Sequence, residues 1–207
     1  MLLIGMLDSP YVRRTAISLQ LLGLPFEHHA LSVFRTFDEF RGINPVVKAP
    51  TLVCDDGTVL MDSTLILQYA EALARPRTLL PALPVELAAA LRNIGFALAA
   101  CEKAVQIYYE DTLRPPEKRH APWVERVTGQ LHAAFDALEA AAAARAFDAK
   151  RMDQAALTVA VAWTFTQETI PGVVAPGNYP ALVAFTAQAE AHPAFIAAPH
   201  GLGTVAR

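Results

Sequence analysis

The chain begins with an unbroken apolar run, Met1–Leu7, the pattern of a strand covered on both faces. Ser9-Pro10 comes next; a serine N-cap with proline at the first helical position opens a helix. Val12, Ala16 and Leu19, flanked by Ile17 and Leu21, keep helical spacing, and Gly23 closes the helix. Phe26–Ser32 reads as a second strand, so the first three elements form a crossover unit with parallel strands. Residues 33–48 hold a short helical or irregular stretch. Thr51–Cys54 and Thr58–Met61 flank Asp55-Asp56-Gly57, a hairpin signal. Asp62-Ser63 then caps a helix reaching about Ala74. The order βαβαββα predicts a mixed four-stranded sheet with helices on its faces, the thioredoxin-like α/β arrangement.

The pattern changes after residue 75. Leu87, Leu91, Ile94, Leu98, Cys101, Val105 and Tyr108 alternate steps of four and three, as do Val124, Val127, Leu131, Ala134, Leu138 and Ala141. Both are apolar stripes at helix-packing spacing, and Pro115-Pro116 between them predicts an antiparallel pair. Gln154–Phe165 is apolar on nearly every side, the mark of a central buried helix. Asn178-Tyr179-Pro180 opens another helix, and Pro193–Ala198 a short turn. Alanine marks the same boundary: six lie in residues 1–75 and 33 in residues 76–207, and alanine is the strongest helix former. Pro76, Pro81 and Pro84 make residues 76–84 a linker. The expected organisation is an α/β domain over 1–75 and an all-helical domain over 85–207.

Composition narrows the function classes. A net charge of −3 gives no electrostatic case for nucleic acid or an anionic membrane as main partner. Cys54 and Cys101 are too few for a disulfide scaffold or a structural zinc site, so a reducing compartment, the cytoplasm by default, is expected. The run Met1–Leu7 is too short for a membrane span. No metal site is expected: His28 and His29 point to opposite faces of their strand, and neither HExxH nor paired CxxC occurs. Trp123, Trp163 and Phe165 read as core, and Glu110-Asp111 as a solvated face. Arg13 and Arg14 read as ion-paired or interfacial.

Three places can carry chemistry. Ser9 stands where a strand ends and a helix begins, a position whose exposed N–H groups and dipole favour an anion. A thioredoxin-type redox enzyme needs Cys-x-x-Cys there; this chain has Asp8-Ser9-Pro10-Tyr11. A ligand can bring the sulfur instead. Lowering a thiol pKa from ~8.5 by two units takes ~2.7 kcal/mol. A hydroxyl donor to a charged acceptor gives ~1.5–3 kcal/mol, and the helix terminus adds ~0.3–1. Ser9 is equally readable as a plain N-cap. Ala49-Pro50 opens the third strand, where a cis bond would turn backbone groups toward an extended ligand, although trans is the commoner X–Pro state. Asp62-Ser63 is a helix cap, and the pair also offers partners of both signs to an α-amino acid head group.

Taken together, these features resemble the glutathione S-transferase family. SPYVRR is similar to the N-terminal motif of Ser-type bacterial members. NPVVKAPTLVCDDGTVLMDSTLILQYAEAL is similar to the glutathione-site stretch, and NYPALVAFTAQAEAHPAF fits the C-terminal helical domain. The resemblance implies that Ser9 stabilises the glutathione thiolate and that the Ala49 backbone pairs with the cysteinyl part. It implies that Asp62 and Ser63 hold the γ-glutamyl group and that Lys48 lies near the glycyl end. It places an electrophile pocket between the domains, walled by Tyr108 or Tyr109. It implies a cytoplasmic, homodimeric detoxification transferase that conjugates glutathione to a small hydrophobic electrophile and needs no metal. The alternatives are a non-catalytic stress, regulatory or ligand-carrier relative, or a glutathione-dependent disulfide or peroxide reductase. Two residues depart from the family pattern. Val47 replaces the usual glycine before Lys48, and Lys150 stands where a Ser/Thr usually caps the core helix, with Asp148 as a possible substitute and Asp153 as structural.

Overall fold

The computed structural model describes residues 1–206. The chain divides into two compact units. The first comprises Met1–Leu79 and the segment from Ala191 onward; the second is Leu80–Glu190.

In the first unit β1 (Leu2–Ile4) is central. It pairs parallel with β2 (Glu27–His29) and antiparallel with β3 (Thr51–Val53), which pairs antiparallel with β4 (Val59–Met61). The sheet order is β2-β1-β3-β4, the mixed four-stranded sheet that the sequence pattern predicts. The second strand is shorter than the expected Phe26–Ser32. The Ser32 hydroxyl accepts the N–H groups of Phe34 and Arg35, and this turn lifts the chain off the sheet. Helix α1 (Pro10–Leu22) is capped by Ser9 and closed by Gly23 in the left-handed conformation, φ 72°. Helix α2 (Phe37–Ile43) fills the short stretch before β3, and α3 (Ser63–Leu73) begins at Asp62. Leu3, Ile4, Val12, Ile17, Leu19, Phe40, Leu52 and Ile66 are buried in its core.

The second unit holds α4 (Pro84–Thr112), α5 (Ala121–Ala143), α6 (Gln154–Thr169) and α7 (Pro180–Glu190). α4 is long and apolar enough to cross a membrane by length and composition, and it packs on α5 and α6. α6 is buried along nearly its whole length, as its all-round apolar pattern requires. Phe135, Trp163 and Tyr179 form an edge-to-face cluster, with Trp163 and Phe135 centroids 5.2 Å apart. The Tyr179 hydroxyl donates to Asp136 at 2.9 Å, and burial, with that carboxylate, pushes its pKa up to about 12. Asp153 itself caps α6 by accepting from the Ala156 N–H at 2.8 Å; Asp148 instead accepts from Lys150 in the preceding loop and caps no helix.

The expected boundary differs at the C-terminal end. The sequence pattern places the residues after Glu190 in the helical domain, yet they pack with the first unit. α8 (Pro193–Ile196) lies on α1. The buried Arg13 donates through Nε to the Ala198 carbonyl at 2.8 Å and stacks over Phe195, 5.3 Å from its centroid. Arg13 is thus an internal strut, tying α1 to the segment around α8. Two further expectations fail. Trp123 is 41% exposed, because it sits in the first turn of α5 beyond a short 3-10 turn (Pro116–Lys118). Glu110 is buried, not solvated, because its carboxylate accepts from Arg114 Nε at 2.7 Å and from the His120 N–H at 2.9 Å.

Candidate functional site

Ser9 caps α1 at long range, its Oγ accepting from the Val12 N–H at 3.4 Å. A hydroxyl has one hydrogen to donate besides its lone pairs. Among the described residues no acceptor takes that hydrogen, so capping and holding an anion are compatible at this side chain. Beside it, burial pushes the Asp8 carboxyl above its ordinary range, against the opposing pull of His200, the Ser9 N–H and Arg35.

Backbone geometry brings Ala49 to the end of β1. The Ala49-Pro50 bond is cis. Gly5 has φ 133°, and a Cβ there would come within 2.5 Å of Val12 and 3.0 Å of the Ala49 methyl. This is a close approach that only glycine permits. The loop leading to Ala49 is held from within. The buried Asn44 donates to Thr51 Oγ1 at 2.8 Å, and Thr51 Oγ1 donates to the Lys48 carbonyl at 2.8 Å. Asn44 Oδ1 also accepts from Val46 N–H at 3.0 Å. Val47 adopts φ 53°, the left-handed conformation. This is backbone that glycine adopts without strain and that a β-branched residue rarely takes.

Lys48 reaches back to Asp62, Nζ to Oδ2 3.3 Å, with both side chains about half exposed. Asp62 caps α3, accepting from the Thr64 N–H at 2.9 Å, and its own backbone is at φ 70°, ψ 123°, a conformation rare for any non-glycine residue. Burial raises the Asp62 carboxyl, but the Thr64 N–H, Lys48 and the Leu65 N–H outweigh it and hold the group below the usual carboxylate range. Ser63 is buried. Its Oγ accepts from the buried Arg14 Nη1 at 3.1 Å, and the same nitrogen lies 3.4 Å from Thr64 Oγ1. The Ser63 hydroxyl hydrogen remains to donate. The start of α3 thus combines a hydroxyl donor backed by a guanidinium, a helix N-terminus and an adjacent carboxylate, which suits a ligand bearing one carboxylate and one ammonium.

Ser9, Lys48, Ala49, Asp62 and Ser63 therefore all lie in the first unit, at the starts of α1 and α3 and in the loop that enters β3. Sequence reasoning missed Gly5, Arg14, Asn44 and Thr51. Asn44-Pro45 is a turn signal that could have led to Asn44; no local pattern tells that Arg14 turns inward. Tyr108 and Tyr109 lie on α4 in the second unit, 38% and 40% exposed, with ring centroids 6.1 Å apart. Tyr109 lines an open cleft of about 500 Å³; Tyr108 is not among the lining residues.

The class of fold is a thioredoxin-like four-stranded sheet followed by a helical unit. Residues 3–78 match the family model described as glutathione S-transferase, N-terminal domain. The chain is 32% identical to glutathione S-transferase U4 of Arabidopsis thaliana over 116 residues, 51% of this chain, and spans about half (52%) of that relative's length. A Pseudomonas fluorescens Pf-5 glutathione transferase family member, solved with bound glutathione, superposes with TM-score 0.83 at 28% identity, covering 95% of this chain and 97% of the other. A Methylobacterium radiotolerans glutathione S-transferase in complex with glutathione sulfonate gives TM-score 0.87 at 25% identity, over 94% and 92%.

Proposed function

We propose that the protein binds glutathione in its first unit, stabilises the thiolate with Ser9, and transfers it to a small hydrophobic electrophile. The observation that carries this reading is Ser9 itself: a cap at the α1 N-terminus whose hydroxyl hydrogen is uncommitted among the described residues. The glutathione and glutathione sulfonate held by the two bacterial relatives support the choice of ligand.

The roles follow from the chemistry. The glutathione thiol releases its proton to solvent, and the resulting thiolate accepts from the Ser9 hydroxyl and faces the α1 terminus. The Ala49 backbone pairs with the cysteinyl part, as in strand addition. Ser63, backed by Arg14, receives the γ-glutamyl carboxylate, and Asp62 receives its ammonium. Lys48, tied to Asp62, stands toward the glycyl carboxylate. The thiolate sulfur then attacks the electrophilic carbon, a C–S bond forms, and the leaving group departs with the displaced electron pair. Orientation of the two reactants supplies the remaining acceleration. Tyr109 is assigned to the electrophile side, and a homodimer is the proposed assembly, to be checked by light scattering.

Turnover of a generic aryl halide tests the reading. Ser9→Ala is expected to lower kcat/KM by about 10–100-fold, the loss of one hydrogen bond to a charged group. Unchanged turnover would remove Ser9 from the mechanism. Retention on immobilised glutathione without turnover of any electrophile would favour the non-catalytic alternative.

A further inference from the structure

The last stretch of the chain is strapped across the turn that joins β1 to α1. On one side the buried Arg13 of α1 donates through Nε to the Ala198 carbonyl at 2.8 Å. On the other the Val205 N–H donates to His28 Nδ1 at 3.1 Å, and His28 Nε2 lies 2.7 Å from the Gly5 carbonyl. The Ala206 N–H returns to the Ala197 carbonyl at 2.8 Å and closes residues 197–206 into a loop. Its two anchors, Gly5 and Arg13, stand on either side of Ser9 in the chain. His200 lies within this loop, half-buried, and its charge acts on Asp8, the residue directly before Ser9.

We propose that His200 is a positioning residue for the Ser9 site: its imidazolium offsets the Asp8 carboxylate, so that an anion can be held at the start of α1. The inference rests on the reading of Ser9 as the residue that holds the thiolate, and adds to it a side chain from the far end of the sequence.

Charge makes such a residue necessary. A carboxylate one residue from Ser9 opposes any anion placed there. Burial is the largest influence on Asp8 and pushes its carboxyl above the ordinary range; His200 is the strongest of the groups that pull the other way, ahead of the Ser9 N–H and Arg35. Arg35 reaches the same turn from the segment between β2 and α2, its Nη2 3.5 Å from Met6 Sδ, while the Met6 carbonyl accepts the Ser9 N–H at 3.1 Å. Arg35 is exposed, so water and salt screen its charge. The Arg13 guanidinium is turned to Ala198 and the Phe195 ring, and His28 is neutral while its Nδ1 accepts from Val205. His200 is thus the cation that bears most on Asp8, and the loop anchors keep it there.

Calorimetry with two ligands reads this balance in the full-length protein at about pH 6, where an ordinary imidazole is mostly charged. Glutathione sulfonate carries a fixed anion at the sulfur, and S-methylglutathione fills the same position without charge. The ratio of their association constants reports the preference for an anion beside Ser9 and cancels the grip on the rest of the tripeptide. His200→Gln is expected to lower the ratio about threefold, the scale of a partly exposed charge pair. His200→Lys, which disturbs the loop but keeps the charge, should retain the ratio, and Asp8→Asn should raise it by a similar factor. Equal ratios in His200→Gln and His200→Lys, or a ratio indifferent to Asp8→Asn, would overturn the inference. A ratio lowered by Ser9→Ala but unmoved by His200→Gln would strike His200 alone and leave the Ser9 reading standing. Failure of both ligands to bind would instead strike the glutathione reading, and the inference would fall with it.

Discussion

Arg14 donates to the Ser63 hydroxyl at 3.1 Å from a side chain that is 2% exposed. Helix α1 thus holds the residue that opens α3. The guanidinium sets the Ser63 oxygen as acceptor and leaves its hydrogen for a ligand, so Arg14 acts on the ligand through Ser63 as a positioning residue.

Arg14→Met should therefore raise KM for glutathione more than it lowers kcat, because the γ-glutamyl grip is used equally in ground and transition states. The expected loss is about tenfold in affinity, on the scale of one charge-assisted hydrogen bond. Arg14→Lys should recover part of it. A double-mutant cycle with Ser63→Ala is expected to show strong coupling. Additive effects in that cycle would mean that Arg14 supports the fold without acting through Ser63.

Val47 holds φ 53° with a β-branched side chain. Left-handed backbone costs such a residue roughly 1–2 kcal/mol, while glycine gives back about 0.5–1 through the entropy of the unfolded chain. Val47→Gly should therefore stabilise the protein by about 0.5–1 kcal/mol, read as a higher urea midpoint at constant slope. Lys48 and its ion-pair partner Asp62 need not move, so glutathione affinity should be unchanged.

His28 fastens three pieces of backbone. Its Nε2 lies 2.7 Å from the Gly5 carbonyl, and its Nδ1 accepts from the Val205 N–H at 3.1 Å. Only the neutral ring can do both. Burial lowers its pKa most, with His29 adding to the effect and the Gly5 carbonyl opposing it. A histidine that is harder to protonate when folded contributes stability above its unfolded pKa of ~6.5 and loses it as pH falls through the lower folded value. Urea unfolding should show stability dropping below about pH 6.5, with a slope for this group of at most ~1.4 kcal/mol per pH unit. His28→Gln should flatten that part of the profile, and amide exchange at Val205 should quicken on acidification. An unchanged profile in the variant would assign the acid sensitivity elsewhere.

Local rules made most of the architecture readable. Ser9-Pro10, Gly23, Asp55-Asp56-Gly57 and Asp62-Ser63 are caps and turns whose chemistry is decided within four residues, and each stands where the pattern put it. The all-round apolar stretch of α6 likewise reported its burial directly. What escaped was set by tertiary contact. Nothing within α1 distinguishes an inward Arg14 from a solvated one; its direction is decided by Ser63, 49 residues away. The segment after Glu190 joins the first unit because Arg13 reaches Ala198 across 185 residues. Glu110 and Trp123 were misplaced for a similar reason, since the proline turn between two helices decides what lies beside them.

The central claim concerns the ionisation of a bound thiol at Ser9, and ultraviolet titration of the thiolate in the protein–glutathione complex measures it directly. The account predicts that the bound thiol titrates about 2 pH units below the free one, and that in Ser9→Ala, with glutathione still saturating, it moves most of the way back. A bound thiol that titrates like free glutathione, or one whose titration is identical in Ser9→Ala, would contradict it.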